Sequence, residues 1–271
     1  MIQPGEIQSI AGKEEVRDTQ IEKDYVISWV TYGIANNPFL KENLVFKGGT
    51  VLKKAYFPDY RFSEDLDFTF TGKDFDIEAI KSAFNELNEW VYEESRISLS
   101  VHNETLHETG NFNFYLSYTG PLGGAGANKD IKVDISQDEL IYNAPEEKQI
   151  INIYSDIEEE YSIFCYSLGE VIAEKMRSIM QRTAPRDIYD LWYLFEVEGQ
   201  DIKDHVFAFQ DKTKHKGYDP KELAKVIEQK EKTFAKHWKD HLAKQMTEIA
   251  EFNDVWRELG KHWRRFQKFI E

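Results

Sequence analysis

Residues 46–70 read FKGGTVLKKAYFPDYRFSEDLDFTF, and the order of signals in that stretch decides the kind of fold this chain can have. A short apolar strand pattern at residues 44–46 stops at Gly48 and Gly49, and residues 50–55 then take helical spacing. Two glycines between a strand and a helix let the backbone come close to an anion, and the free N–H groups at the helix start face it. Thr50 adds a hydroxyl at the same place. A plain tight turn is the other reading of this tripeptide, because short glycine motifs are common. Residues 66–70 then alternate as a strand rich in aromatic and β-branched side chains. Residues i and i+2 of a strand share a face, so Asp65 and Asp67 point together while Leu66 and Phe68 point into a core. Two adjacent carboxylates repel unless a cation lies between them, and Mg2+ takes such oxygen ligands together with substrate phosphates. A solvated strand end is the alternative, and the apolar residues packed around the two aspartates weigh against it. Glu64 faces the other way, as a surface charge.

Outward from this stretch, residues 15–36 carry Ile21, Tyr25, Val26, Trp29, Val30 and Ile34 at amphipathic helical spacing, and residues 75–94 return to it. Strand patterns follow at 96–102, 112–118 and 130–136. Residues 121–128, PLGGAGAN, read as a turn or loop; with no strand ahead and no helix behind, they do not form a dinucleotide fingerprint. After about residue 165 the pattern is helical: 168–182, a helix opened by Pro185, another opened by Asp219 and Pro220, then 233–249 and 253–269. The prediction is an α+β fold, a mixed sheet flanked by helices and followed by a helical C-terminal region, with the boundary near 160–167.

Composition narrows the setting. The chain has 271 residues, ample for one large domain or two modest ones. No apolar run approaches a membrane span, no signal-peptide pattern opens the chain, and a cytoplasmic protein is expected. Cys165 is the single cysteine, so an internal disulfide and a Cys-rich zinc site are both excluded. The net charge of −15 is uneven: residues 211–271 hold 15 Lys and Arg against 11 Asp and Glu, while residues 1–210 hold 19 against 38. An acidic front part suits divalent cations and a mildly basic tail suits nucleic acid or an acidic protein; two solvated surfaces are the other reading.

Three further places carry candidate chemistry. Asp134 lies mid-strand in IKVDIS, on the face opposite Val133 and Ile135, and is the best third carboxylate; Asp130 and Asp138 sit at strand ends. Lys175 follows an apolar stretch and reaches a phosphate as a point charge, and Asp187 and Asp190 lie three apart on one side of a helix. Two helices joined by surface ion pairs account for the same residues without chemistry. In the tail, Lys236, His237, Lys239, Lys261, Arg264 and Arg265 interleave with Trp238 and Trp263; they read as a cationic surface or as helix exteriors over a buried tryptophan stripe.

Taken together, IEKDYV (21–26), LVFKGGTVLKKAYF (44–57), RFSEDLDF (61–68), IKVDIS (131–136), GEVIAEKMRSIMQR (169–182) and PRDIYDLW (185–192) resemble the AbiEii/AbiGii toxin family, within the DNA-polymerase-β-like nucleotidyltransferases. The resemblance covers roughly residues 20–195. Thr50 stands where the wider superfamily has Ser, and FPDYR lengthens the gap before the aspartate pair; both are usual in this toxin branch. The resemblance implies a nucleotidyltransferase catalytic domain over 1–165 and a helical domain over 166–271 that completes the active site. It implies that Asp65 and Asp67 bind Mg2+ and the NTP, and that Gly48, Gly49 and Thr50 hold phosphates. Asp134 would complete the metal site or orient the acceptor hydroxyl. Lys175 would contact the triphosphate, Asp187 or Asp190 would belong to the same site, and Arg61 and Ser63 are nearby helpers. The expected partners are an NTP, a tRNA 3′ end as acceptor and a cognate antitoxin, with no membrane. A non-catalytic nucleotide- or partner-binding module and a metabolic nucleotidyltransferase are the competing functions.

Overall fold

A computed structural model of the chain describes residues 1–124 and 129–270. The chain divides into two compact units, one of residues 1–139 with 145–165, the other of residues 140–144 with 166–271. Of the expected 121–128 turn, residues 125–128 lie outside the described residues.

The first unit begins with α1 (Pro4–Glu14), α2 (Asp18–Asn36) and α3 (Pro38–Asn43). The strand β1 (Leu44–Lys47) leads into α4 (Gly48–Val51), which continues as a π-helical turn over Leu52–Tyr56. Then come β2 (Leu66–Phe70), α5 (Ile77–Ser95), β3 (Ser98–Leu106), β4 (Phe112–Thr119), β5 (Asp130–Ser136), β6 (Glu146–Gln149) and β7 (Ser162–Cys165). Among the described residues the seven strands form one mixed sheet in the order β3-β4-β5-β2-β1-β7-β6. The pairs β2/β5 and β1/β7 are parallel and the rest antiparallel. The short edge strand β6 reads EEKQ, and its charges discourage pairing with another sheet edge.

Alternation along the central strands sorts the two faces. Leu66, Phe68, Val133, Ile135, Phe112 and Phe114 are all buried, with Phe46 stacked on Phe68. Phe84 of α5 packs edge-on against Phe114, so the apolar stripe of that helix covers this side of the sheet. Asp76 opens α5 by accepting from the Glu78 and Ala79 N–H groups. The helix α2 differs from its amphipathic reading. Its apolar residues are buried as expected, but so are Glu22, Asp24, Ser28 and Thr31. Each of these has a partner from elsewhere in the unit: Glu22 pairs with Lys129, Asp24 with Lys54, Ser28 with Lys54 and Thr31 with Tyr161. Polar groups are buried here because they are satisfied.

The second unit is helical: α6 (Leu168–Gln181), α7 (Pro185–Trp192), α8 (Val206–His215), α9 (Leu223–Leu242) and α10 (Phe252–Ile270). The expected helix over 233–249 is instead the second half of α9. Leu223, Ile227, Phe234, Trp238 and Leu242 form one continuous buried stripe. The helix ends where Gln245 and Met246 both donate to the Leu242 carbonyl, and Trp238 Nε1 then holds the returning chain through the Ala250 carbonyl at 2.8 Å.

Candidate active site

Strand register brings the acidic residues of the first unit together. Lys47 of β1 lies opposite Asp67 of β2, Asp67 beside Asp134 of β5, and Asp134 opposite Asn113 of β4. These four polar residues form a row across one sheet face, while their neighbours in sequence fill the other. Asp65 stands two residues before Asp67, just ahead of the strand, and Lys132 two residues before Asp134. Lys132 Nζ donates to Asp134 at 3.0 Å. Burial works against the Lys132 ammonium, but Asp134, Asp67 and Asp65 together outweigh it and hold its pKa above the ordinary lysine value. On the far side of the row, Lys47 Nζ donates to Ser136 Oγ at 3.3 Å and lies 3.8 Å from Glu139. Sequence reasoning missed Lys47 and Lys132. The placement of Lys132 at i−2 from Asp134 was a usable signal; that of Lys47 needs the strand order.

The glycine pair sits against this row. Gly48 has φ +81°, in the left-handed region, and a Cβ there would lie 2.3 Å from Asp67 Oδ2. A Cβ on Gly49 would lie 2.9 Å from Arg61 Nη2 and 3.4 Å from Ser63 Oγ. The backbone of the cradle therefore touches a carboxylate on one side and a guanidinium on the other, and only glycine allows both approaches. Thr50 donates its hydroxyl to the Asp65 carbonyl at 2.5 Å, so its observed task is to fix the Asp65 backbone against the cradle. Arg61 and Ser63 are both buried. Glu64, expected as a surface charge, pairs with Lys23 of α2 at 3.3 Å.

The carboxylates on this face offer oxygen donors, which suit a hard divalent cation. Among the described residues, no three His, Cys, Asp or Glu side chains lie close enough together to enclose one. Asp65, Asp67 and Asp134 thus form no closed three-ligand cage. An open carboxylate pair fits Mg2+, which retains waters and binds through one or two carboxylates plus substrate phosphate.

In the second unit, Lys175 of α6 and Asp187 and Asp190 of α7 come together, and all three are buried rather than surface contacts. Lys175 bonds to Asp190 and lies 3.7 Å from Asp187. Arg182 grips Asp187 with both Nε and Nη2, at 2.7 and 2.9 Å. Burial favours the neutral Asp187, but Arg182 and Lys175 overcome it and hold the carboxyl below its usual range. On its other side α6 carries Glu170, which accepts from the Tyr142 and Asn143 N–H groups and from Lys212 of α8. Cys165, in the first unit, is buried, and burial pushes its thiol up to about 12.

Comparison with known proteins follows the same residues. The family model described as "Nucleotidyl transferase AbiEii toxin, Type IV TA system" matches residues 32–269, well beyond residue 195 and through the C-terminal helices. An uncharacterized protein of Aquifex aeolicus is 28% identical over 179 residues, 65% of this chain and just under two thirds (66%) of that protein's length. Among solved structures, the nucleotidyltransferase toxin MenT4 from Mycobacterium tuberculosis superposes with a TM-score of 0.68 at 16% identity, covering 100% of this chain and 90% of that one. JHP933 from Helicobacter pylori gives 0.54 at 21% identity, covering 94% of each chain. These two likenesses concern the fold. The family match spans most of the chain, including the glycine pair, the aspartate strands and the Lys175 and Asp187 helices, and this chain belongs to the AbiEii nucleotidyltransferase toxin family of type IV toxin–antitoxin systems.

Proposed function

We propose that this chain transfers a nucleotide from an NTP to the 3′-terminal hydroxyl of tRNA, with Mg2+, as a cytoplasmic toxin restrained by a cognate antitoxin. The observation that carries the reading is the contact between cradle and carboxylates: Asp67 lies against Gly48, beside Asp134, with the Arg61 guanidinium against Gly49. The acceptor hydroxyl attacks the α-phosphate in line, the α–β bridge breaks and pyrophosphate leaves, while the proton passes to a carboxylate of the row or to water. Bound Mg2+ supplies charge neutralisation of the triphosphate. Asp65 and Asp67 hold it; Asp134 orients the hydroxyl; Gly48, Gly49, Arg61 and Ser63 position the phosphates. Most of the rate comes from positioning and electrostatic stabilisation. In this reading residues 1–165 form the catalytic domain, and the helical region contributes Lys175, Asp187 and Asp190 to the same reaction.

A tRNA acceptor needs cations to offset its phosphates. Of the tail residues, Lys239 is paired with Glu251 and Arg265 with Asp201, whereas Lys236, Lys261 and Arg264 project from exposed helix faces. These three support the RNA reading. The test is mass spectrometry of total tRNA after induction. Added nucleotides with the native chain and none with D65A are expected; unmodified tRNA in both, alongside growth arrest, removes tRNA as acceptor.

A further inference from the structure

Next to the cradle, the π-helical turn Leu52–Tyr56 buries two consecutive lysines, each with its own set of partners. Lys54 reaches back to α2, bonding to Asp24 Oδ2 at 2.6 Å and Ser28 Oγ at 2.8 Å. Lys53 reaches forward over the loop that leads to β2. Its ammonium donates to the Pro58 and Tyr60 carbonyls, both at 2.9 Å, and lies 4.1 Å above the Phe62 ring. No carboxylate stands at ion-pair distance from Lys53 among the described residues; carbonyl oxygens and one ring hold the charge. That is an expensive way to bury an ammonium, and burial does pull its pKa below the ordinary lysine value.

The geometry shows what the ammonium organises. The loop it grips delivers Arg61 and Ser63 to Gly49. Arg61 is itself buried, with Nη1 donating to the Phe62 carbonyl at 3.2 Å and its guanidinium 5.5 Å from the Tyr60 ring. Lys53 therefore fixes the carbonyl of Tyr60, immediately before Arg61, and packs on Phe62, immediately after it. A π-turn in place of a regular turn is a common device for aiming side chains at a functional site.

We propose that Lys53 is a positioning residue for the triphosphate cradle, holding the 57–62 loop so that Arg61 lies on Gly49 where the NTP phosphates bind. This rests on the NTP-transfer reading above. Lys53 touches no substrate; it acts through Arg61.

The test is a double-mutant cycle on NTP affinity in the full chain, by isothermal titration of ATP, GTP, CTP and UTP with Mg2+. For the NTP bound best, K53M is expected to weaken binding about 10-fold, a loss of about 1.4 kcal/mol. R61A should weaken it at least as much, and K53M/R61A should be no weaker than R61A alone. K54M, which loses its Asp24 partner but leaves the loop contacts, should lower the melting temperature without changing NTP affinity. A lysine with a purely structural role predicts the opposite: K53M and K54M behave alike, or the effects of K53M and R61A multiply. Either result overturns the proposal, as does a K53M affinity within twofold of wild type. If K53M does not fold, K53Q replaces it, with hydrogen exchange of the 57–64 amides as a second readout. Exchange must quicken there and stay unchanged in β1 and β5. Wild type that binds no NTP removes the NTP reading together with the proposal; binding without the coupling removes the proposal alone.

Discussion

Replacing Lys212 with Met tests how the second unit holds residues 140–144 against α6. Lys212 is 1% exposed and its partner Glu170 is fully buried. Lys212 bonds to Glu170 Oε1 and the Leu140 carbonyl and lies 3.0 Å from Glu174. Glu170 in turn fixes Tyr142 and Asn143, so one ion pair ties residues 140–144 to the helix that carries Lys175. Removing one partner of a buried pair costs ~3–5 kcal/mol, because the other charge stays buried without compensation. The N–H groups of Tyr142 and Asn143 remain on Glu170 and place the loss near ~3 kcal/mol. At ~2–4 °C per kcal/mol for a domain of this size, the melting temperature should fall by about 6–12 °C. In the native chain, burial opposes the Lys212 charge, but Glu174 and Glu170 outweigh it and raise its pKa. The pair's contribution is then fully present below the unfolded lysine value of ~10.4 and is lost as pH rises through the higher folded value. K212M/E170Q should recover about half of the loss. Urea unfolding at pH 7, followed by circular dichroism, measures the loss and its recovery. A K212M deficit under about 1 kcal/mol at pH 7, or one that E170Q deepens, refutes the ion-pair account.

D67N should cut nucleotide transfer by at least about 100-fold while leaving thermal stability unchanged or higher, since it removes one of three neighbouring acids; transfer of labelled NTP with a parallel melt reads both, and a stable, active D67N is incompatible with the site. G48A should lose ~1–2 kcal/mol from its left-handed φ alone and displace Asp67, whereas G49A should spare stability and disturb only Arg61, so the two separate in a melt but agree in lost activity. K261E/R264E should weaken tRNA binding about 10-fold at low salt and flatten the salt dependence of log K by about one to two, and unaltered binding would move the RNA surface elsewhere. Chelation by EDTA should stop transfer and Mg2+ should restore it; full activity without divalent cation contradicts the carboxylate reading.

Local patterns were legible where their meaning is local. Asp67 could be placed on one face because five alternating residues fix a strand's two sides, and β2 spans it, with Asp65 just ahead of the strand. The glycine pair was legible for the same reason, although what presses on it, Asp67 and Arg61, was not. Short or charged elements escaped: β6 reads EEKQ, and α1 and α3 are brief runs opened by proline. Long-range pairing escaped more completely. Lys47 and Asp134 lie 87 positions apart and share one polar face only because β2 lies between their strands. The same limit explains α2 and the Lys175 cluster. Periodicity assigns a residue to a helix face, but burial of a charge is decided by whether a counter-charge arrives there. Asp24 is buried because Lys54 and Tyr154 reach it, and Asp187 because Arg182 and Lys175 do. A polar residue on a core face therefore predicts a partner without naming it. In this chain those partners, Lys54 and Lys132 among them, are the lysines that a reading built on aspartates and glycines passes over.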